Sequence, residues 1–416
     1  MESRDQASNQ TSELREQTDD QKESTGSAVT GRSVAALIAA RAVYALNWLN
    51  VGALYSLMQS DLKGGVSGLG TLTSSFFLGI GLFQVPGGIL AAKWGPKKVV
   101  VIGIMLSSVS AGAVALTSEI FEASVLRFLA GVGMAFVFSP SIVIVASYLG
   151  QHRSGANVGL FNSAFSVGGI AGLFGWTVIA SVTGWRASIE LSGAIGIISG
   201  ILVILLVPDE HVLSFKVERT KLVSIIKDKR LILLGLGTLS LTIGNNLIAA
   251  FMTYYLHNSL GVGLLLASSV TALMILMPLF SALIGGREYD RMKKPRLLML
   301  TADLGMAGAL VICSIRSLYA AVIGTVFAGI VFGVGLTTAF AAAKDLNKEP
   351  KQYDTLAISW VNCLSLFGNF GPPLVFSYLA VTLGYSAAWL GGSGMVVLLL
   401  ISLLFMSEGI VRKPSS

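Results

Sequence analysis

Apolar runs of about 20 residues, the length that crosses a hydrocarbon layer as a helix, recur along almost the whole chain with short polar breaks between them. They predict twelve helical spans. Six lie near residues 35–58, 69–91, 98–117, 122–148, 157–181 and 187–207, and six more near 231–256, 264–285, 297–315, 318–343, 355–381 and 385–406. Residues 1–32 are polar and mixed in charge, with too few apolar side chains to offset the entropy of ordering, so a disordered tail is expected there. They also lack the apolar core of a signal peptide. Residues 208–230 form a Lys-rich linker, amphipathic in part, and 408–416 a short basic tail. The expected fold class is an all-α integral membrane protein whose twelve helices fall into two six-helix halves, 33–207 and 231–407.

The halves repeat one another. Two basic breaks, GGILAAKWGPKK at 87–98 and GGREYDRMKKPR at 285–296, align when Gly88 is set on Gly286. Lys93 then falls over Arg291, Ala92 over Asp290 and Lys98 over Arg296. Asn162 and Asn362, Gly168 and Gly368, and Gly184 and Gly384 recur at a spacing of 200 residues. GVG stands at 131–133 in the fourth span and at 333–335 in the tenth. Gly131 and Gly133, with the duplicated Asn162 and Asn362, are therefore expected to serve helix packing.

Composition agrees with the pattern and charge orients it. Of 416 residues 53% are hydrophobic and 12% charged, where a soluble protein carries about 25% charged. A net charge of +7 could point to nucleic acid, but the basic residues are spread through short breaks rather than gathered in a patch, so no nucleic-acid partner is expected. Breaks after even-numbered spans hold 18 Lys and Arg, and breaks after odd-numbered spans hold 3. By the positive-inside bias both termini and the linker belong in the cytoplasm of a multi-pass plasma-membrane protein. Cys313 and Cys363 lie inside apolar spans, and His152, His211 and His257 are scattered, so neither a disulfide framework nor a metal site is expected. No Gly-rich phosphate loop is present, which excludes ATP hydrolysis as the driving force, and neither an enzyme activity nor a cofactor is expected.

At the first basic break the chain resembles the major facilitator superfamily, over essentially all of residues 33–407. That family's signature there is Gly, three residues, Asp-Arg, one residue, Gly, then basic residues. Gly88, Lys93, Gly95, Lys97 and Lys98 match it, with Ala92 in place of the acid. The second copy keeps Gly286, Asp290 and Arg291 and has Lys293 in place of the later Gly. Arg127 with Gly131 and Gly133 matches a fourth-span pattern, and Gly184-Trp185-Arg186 opens the sixth span as is frequent in the family. The resemblance implies two halves rocking about one site near mid-membrane, lined mainly by spans 1, 4, 7 and 10. It also implies a cytoplasmic charge clasp at the hinges, in which Asp290 and Arg291 pair and Lys93 is left to find helix carbonyls.

An intramembrane charge marks a functional candidate because it is costly. In the first span Arg41, Tyr44, Trp48, Gly52 and Tyr55 share a narrow arc, which suits a polar pathway; the alternative is that Arg41 snorkels to the headgroups. Asn47 sits beside this stripe and Asn50 points nearly opposite. Arg127 can grip an oxyanion through its planar fork, or it can be a structural tie to Glu119 or Glu122. Asn245, Asn246 and Trp360 complete the candidate substrate set, since amides offer both donor and acceptor to a polar solute. Arginines without acids on the expected cavity helices point to a small anionic solute, carried by a monomer in the lipid bilayer. The alternatives are efflux of hydrophobic, often cationic compounds, and a sensor that has kept the fold without transporting.

Overall fold

The computed structural model describes the backbone of residues 2–149, 163–208, 218–350 and 353–406, with side chains from Gly31 onward except at 92, 139, 142, 143, 145–149, 219 and 355. Helix α1 runs Glu2–Leu62, and its membrane-length apolar part is Gly31–Leu62. The expected disordered tail lies almost wholly outside the described side chains. Then follow α2 (Gly65–Trp94), α3 (Pro96–Ala113) and α4 (Ile120–Leu149). The stretch Ser163–Leu206 is helical apart from Gly184 (φ 81°, ψ 166°), which divides α5 (163–183) from α6 (185–206). A short linker helix α7 (Arg219–Lys227) leads to α8 (Lys229–Leu260), α9 (Leu264–Met292), α10 (Pro295–Cys313) and α11 (Leu318–Leu346). Helices α12 (Asp354–Gly368) and α13 (Pro372–Thr382) together make one crossing, and α14 (Tyr385–Leu404) the last. The described helices thus supply twelve crossings in two halves, all-helical as expected.

The repeat seen in the sequence is a repeat of backbone geometry. Gly384 (φ 87°, ψ 168°) ends the eleventh crossing as Gly184 ends the fifth, in a conformation that L side chains rarely adopt. A π-helical turn at Ala171–Gly175 interrupts α5, and 200 residues later the chain breaks between Gly368 and Pro372. Pro86, Pro140 and Pro278, in contrast, remain inside unbroken helices.

The two GVG triplets do the same work in each half. A Cβ on Gly131 would collide with the carbonyl oxygen of Phe76 in α2, and one on Gly79 with that of Phe128 in α4. A Cβ on Gly133 would stand 2.6 Å from the carbonyl of Gly103, and one on Gly103 equally close to that of Gly133. Helix α4 is thereby held backbone to backbone against both α2 and α3. In the second half a Cβ on Gly333 would reach 2.8 Å from Pro278 Cα in α9, and one on Gly335 2.9 Å from Ala302 Cβ in α10.

The end of the bundle that carries the linker is here the linker end, and the opposite one the far end. The halves meet along a seam where α1 packs on α8, α2 on α12 and α13, and α5 on α9. The far end of the seam is closed by hydrogen bonds. Gln59 Nε2 donates to Asn258 Oδ1 at 2.8 Å, Asn258 Nδ2 donates to Ser56 Oγ at 2.9 Å, and the Tyr254 hydroxyl donates to Gln59. At the linker end α7 is fastened to the second half by Lys221 on Glu349 at 2.7 Å.

Candidate functional site

Trp48 and Asn246 each stand near the middle of a 32-residue span and face each other across the seam. Between them is a cavity of about 20 Å³, walled by α1, α2, α4 and α8. One water needs about 10–15 Å³, so this is a contracted site. Its polar groups are Thr73, Arg127 and Asn246, and Trp48, Phe76, Phe77, Ala249 and Ala250 are among its apolar walls.

Arg127 reaches this cavity because Gly131, one turn further along α4, lets that helix sit against α2 at Phe76. Its side chain is 3% exposed, with the guanidinium carbon 4.2 Å from the centroid of the Phe76 ring. Nη1 donates to Asn50 Oδ1 at 3.5 Å, the long limit of a hydrogen bond. Asn50 is oriented by donating to Ser192 Oγ at 3.0 Å and accepting from the Val51 amide at 2.7 Å. Among the described residues no carboxylate lies within ion-pair distance of Arg127. Glu119 and Glu122 are exposed, and Glu122 accepts from the Ser118 amide instead. The structural tie to those acids is therefore absent.

Arg41 is 7% exposed and lies inside the first half, so it does not snorkel to the surface. Its guanidinium carbon is 4.6, 4.7 and 4.6 Å from the centroids of Tyr44, Phe138 and Phe165. Trp48 joins the two arginine environments. Its ring is 5.6 Å from Tyr44, 5.9 Å from Phe165 and 5.1 Å from Phe76, giving a continuous aromatic wall between Arg41 and Arg127.

The other candidates separate. Asn246 lines the cavity, and Asn245 donates to it at 3.4 Å. Trp360 packs at the linker end of the second half against a cluster containing Ile225, Leu231 and Tyr289, and is not among the residues that line the cavity. Asn47 faces Gly196 of α6 inside the first half rather than the seam. Asn162 lies outside the described residues, and Asn362 is half-buried with its carbonyl accepting from Ser365.

At the first hinge Gly88 is exposed, with no described atom from another helix within 4 Å of where a Cβ would stand, and Gly95 (φ 89°) ends α2 just before Pro96 opens α3. Lys93 and Lys98 are exposed and Lys97 half-buried. At the second hinge a Cβ on Gly286 would stand 3.7 Å from Thr337, and the expected Asp290–Arg291 pair is not formed among the described ion pairs. Asp290 instead accepts from Lys293 at 2.9 Å, and Lys293 also lies 3.6 Å from Asp345 at the end of α11. Arg291 is 3.8 Å from Glu288, one turn earlier on the same helix. Lys293 takes both partners because it adopts the left-handed turn (φ 49°) that ends α9, which swings its side chain back over that helix end. Its ammonium is held above the ordinary lysine value, first by the hydrogen bond to Asp290.

Sequence reasoning missed Asn50, which helical geometry had turned away from the first-span stripe, and the rings of Phe76, Phe77 and Phe165. A phenylalanine inside an apolar span carries no signal of its own. Asn50 could have been paired with Arg127 only by knowing which helix lies behind α1.

Two like six-helix halves with polar side chains meeting at mid-depth on their seam define a membrane transporter of the alternating-access class. The chain matches the model of the Major Facilitator Superfamily over residues 37–243 and again over 234–416, and it belongs to that superfamily. It is 24% identical to the MFS-type transporter YybF of Bacillus subtilis, over 78% of this chain and 80% of that protein. It is 23% identical to the hexuronate transporter of the same species, over 89% of this chain and 93% of that protein. The crystal structure of the nucleoside transporter NupG superposes with a TM-score of 0.74 at 14% identity, covering 91% of this chain and 99% of that one. The protein is a multi-pass membrane transporter for a small solute.

Proposed function

We propose that the solute is a small anion, organic or inorganic, moved across the plasma membrane by rocking of the halves about the Trp48–Asn246 cavity. The observation that carries this reading is Arg127, a guanidinium buried at mid-depth on the seam with an amide and a ring for partners and, among the described residues, no acid. A cation held there without a counter-ion is costly, and an anionic solute supplies the missing charge. Asn246 offers a second polar contact from the opposite half, so one ligand can bridge both. The anionic substrate named for the hexuronate transporter points the same way. With the linker, both termini and the hinges in the cytoplasm, the far-end hydrogen bonds shut the outer side, and the structure is the state closed to the exterior. The protein acts as a monomer, since the site is complete within one chain. Efflux of hydrophobic cations is disfavoured by two buried guanidiniums on one aromatic wall.

Ligand-induced thermal stabilisation of purified protein tests the role of Arg127, because a ligand bound to the folded state stabilises it by mass action. Arg127→Lys keeps the charge and loses the fork, so affinity falls in part. Arg127→Gln loses both and should weaken binding by about 30- to 5000-fold, the equivalent of truncating one partner of a buried charge pair. Unchanged affinity in a folded Arg127→Gln protein removes Arg127 from the site.

A further inference from the structure

We infer that the anion is a planar aromatic carboxylate, with its acid group on the Arg127 fork and its ring among Trp48, Phe76 and Phe77. This rests on the anion reading above and narrows it by the shape and polarity of the site. The Arg127 guanidinium carbon lies over the Phe76 ring at 4.2 Å, and among the described residues its Nε has no hydrogen-bond partner, so the edge that carries Nε remains to a ligand. That edge is the geometry in which Arg takes a carboxylate in two parallel hydrogen bonds. The surfaces next to it are rings: Trp48 stands edge-on to Phe76 at 5.1 Å and to Phe77 at 5.6 Å. Rings prefer such tilted and edge-to-face partners, and a ligand ring extends the same cluster.

Polar partners are few. Beyond Arg127 the cavity wall offers Thr73 and Asn246, and its remaining residues are apolar or aromatic. A sugar acid with several ring hydroxyls would leave most of those hydroxyls buried without partners, which is costly. A bare inorganic oxyanion would use the fork and make no ring contact with Trp48, Phe76 or Phe77. An aromatic carboxylate satisfies both, and Asn246 and Thr73 are available to its second oxygen or a single ring substituent.

The test is thermal stabilisation of the full-length protein by benzoate, cyclohexanecarboxylate, glucuronate, inorganic phosphate and benzamide. Benzoate should bind more tightly than cyclohexanecarboxylate by about 2- to 13-fold for each ring pair it makes, and benzamide, the neutral isostere, should not bind. Trp48→Leu should bring benzoate and cyclohexanecarboxylate to within about 2-fold of each other, while Trp48→Phe keeps the preference. Glucuronate or phosphate binding as tightly as benzoate overturns the aromatic class and leaves the anion reading intact. Benzamide binding as tightly as benzoate overturns both. No stabilisation by benzoate at about 10 mM, in roughly ten-thousandfold excess over a micromolar protein, also overturns the inference.

Discussion

Replacing Gly131 by Ala adds one methyl group where two helix backbones touch. The new Cβ would collide with the Phe76 carbonyl and stand 3.1 Å from the Ile80 amide nitrogen, and neither atom can move without shifting α2. Overpacking of this kind costs about 1–3 kcal/mol. Set against it is the gain of up to about 1 kcal/mol from putting Ala for Gly in a helix. Gly308→Ala isolates that gain, because nothing lies within 4 Å of its Cβ position in α10. The difference between the two variants is therefore the packing cost alone. Taking one half as a domain of 150–250 residues, it corresponds to about 2–12 °C in unfolding temperature, read by a thermal melt in detergent. Function should follow stability, since the atom that is hit belongs to Phe76, over whose ring the Arg127 guanidinium lies. Pushing α4 from α2 lengthens that 4.2 Å contact and weakens anion binding in Gly131→Ala but not in Gly308→Ala. Melting temperatures of the two variants within about 1 °C would refute the claim that this crossing is packed to backbone contact.

The far-end latch predicts that a Gln59→Cys, Asn258→Cys pair forms a disulfide that stops transport, with recovery when an impermeant reductant is added outside. Failure to cross-link, or recovery only from the cytoplasmic side, would contradict the closed far end or its placement outside. The linker dock should respond to pH in a defined direction. Glu349 is held below its ordinary value of 4.5, first by the hydrogen bond from Lys221 and then by Ser224. A depressed folded value means the contact is fully present above about pH 4.5 and is lost as pH falls below it. A spin label at Val223→Cys should stay immobile from pH 5 to 8 and loosen in acid, and Glu349→Gln should be loose throughout. A label that stays immobile in Glu349→Gln at neutral pH would show that the ion pair does not hold α7.

The twelve crossings were legible in the chain because lipid demands runs of a set length, and run length is a one-dimensional property. So was the duplication, since Gly184 and Gly384 must recur wherever the backbone needs the same positive φ. The glycines at 131, 133, 333 and 335 could be read as packing residues, but not which neighbour each one meets. Only the tertiary structure decided how the polar side chains combine. Helical periodicity placed Arg41, Tyr44 and Trp48 on one face of α1, yet the partners of that face are Phe138 and Phe165 from α4 and α5. The same periodicity turned Asn50 away, and the fold put Arg127 and Ser192 on that other side. Trp360, a site candidate by its residue type, packs instead on the linker-end cluster that holds Ile225, Leu231 and Tyr289. At the second hinge the pair implied by the motif gave way to Lys293, whose left-handed turn aims it at Asp290 and Asp345 together. A sequence sets the angle of each side chain about its own helix axis. Which helices stand opposite that angle is set by the packing of all twelve.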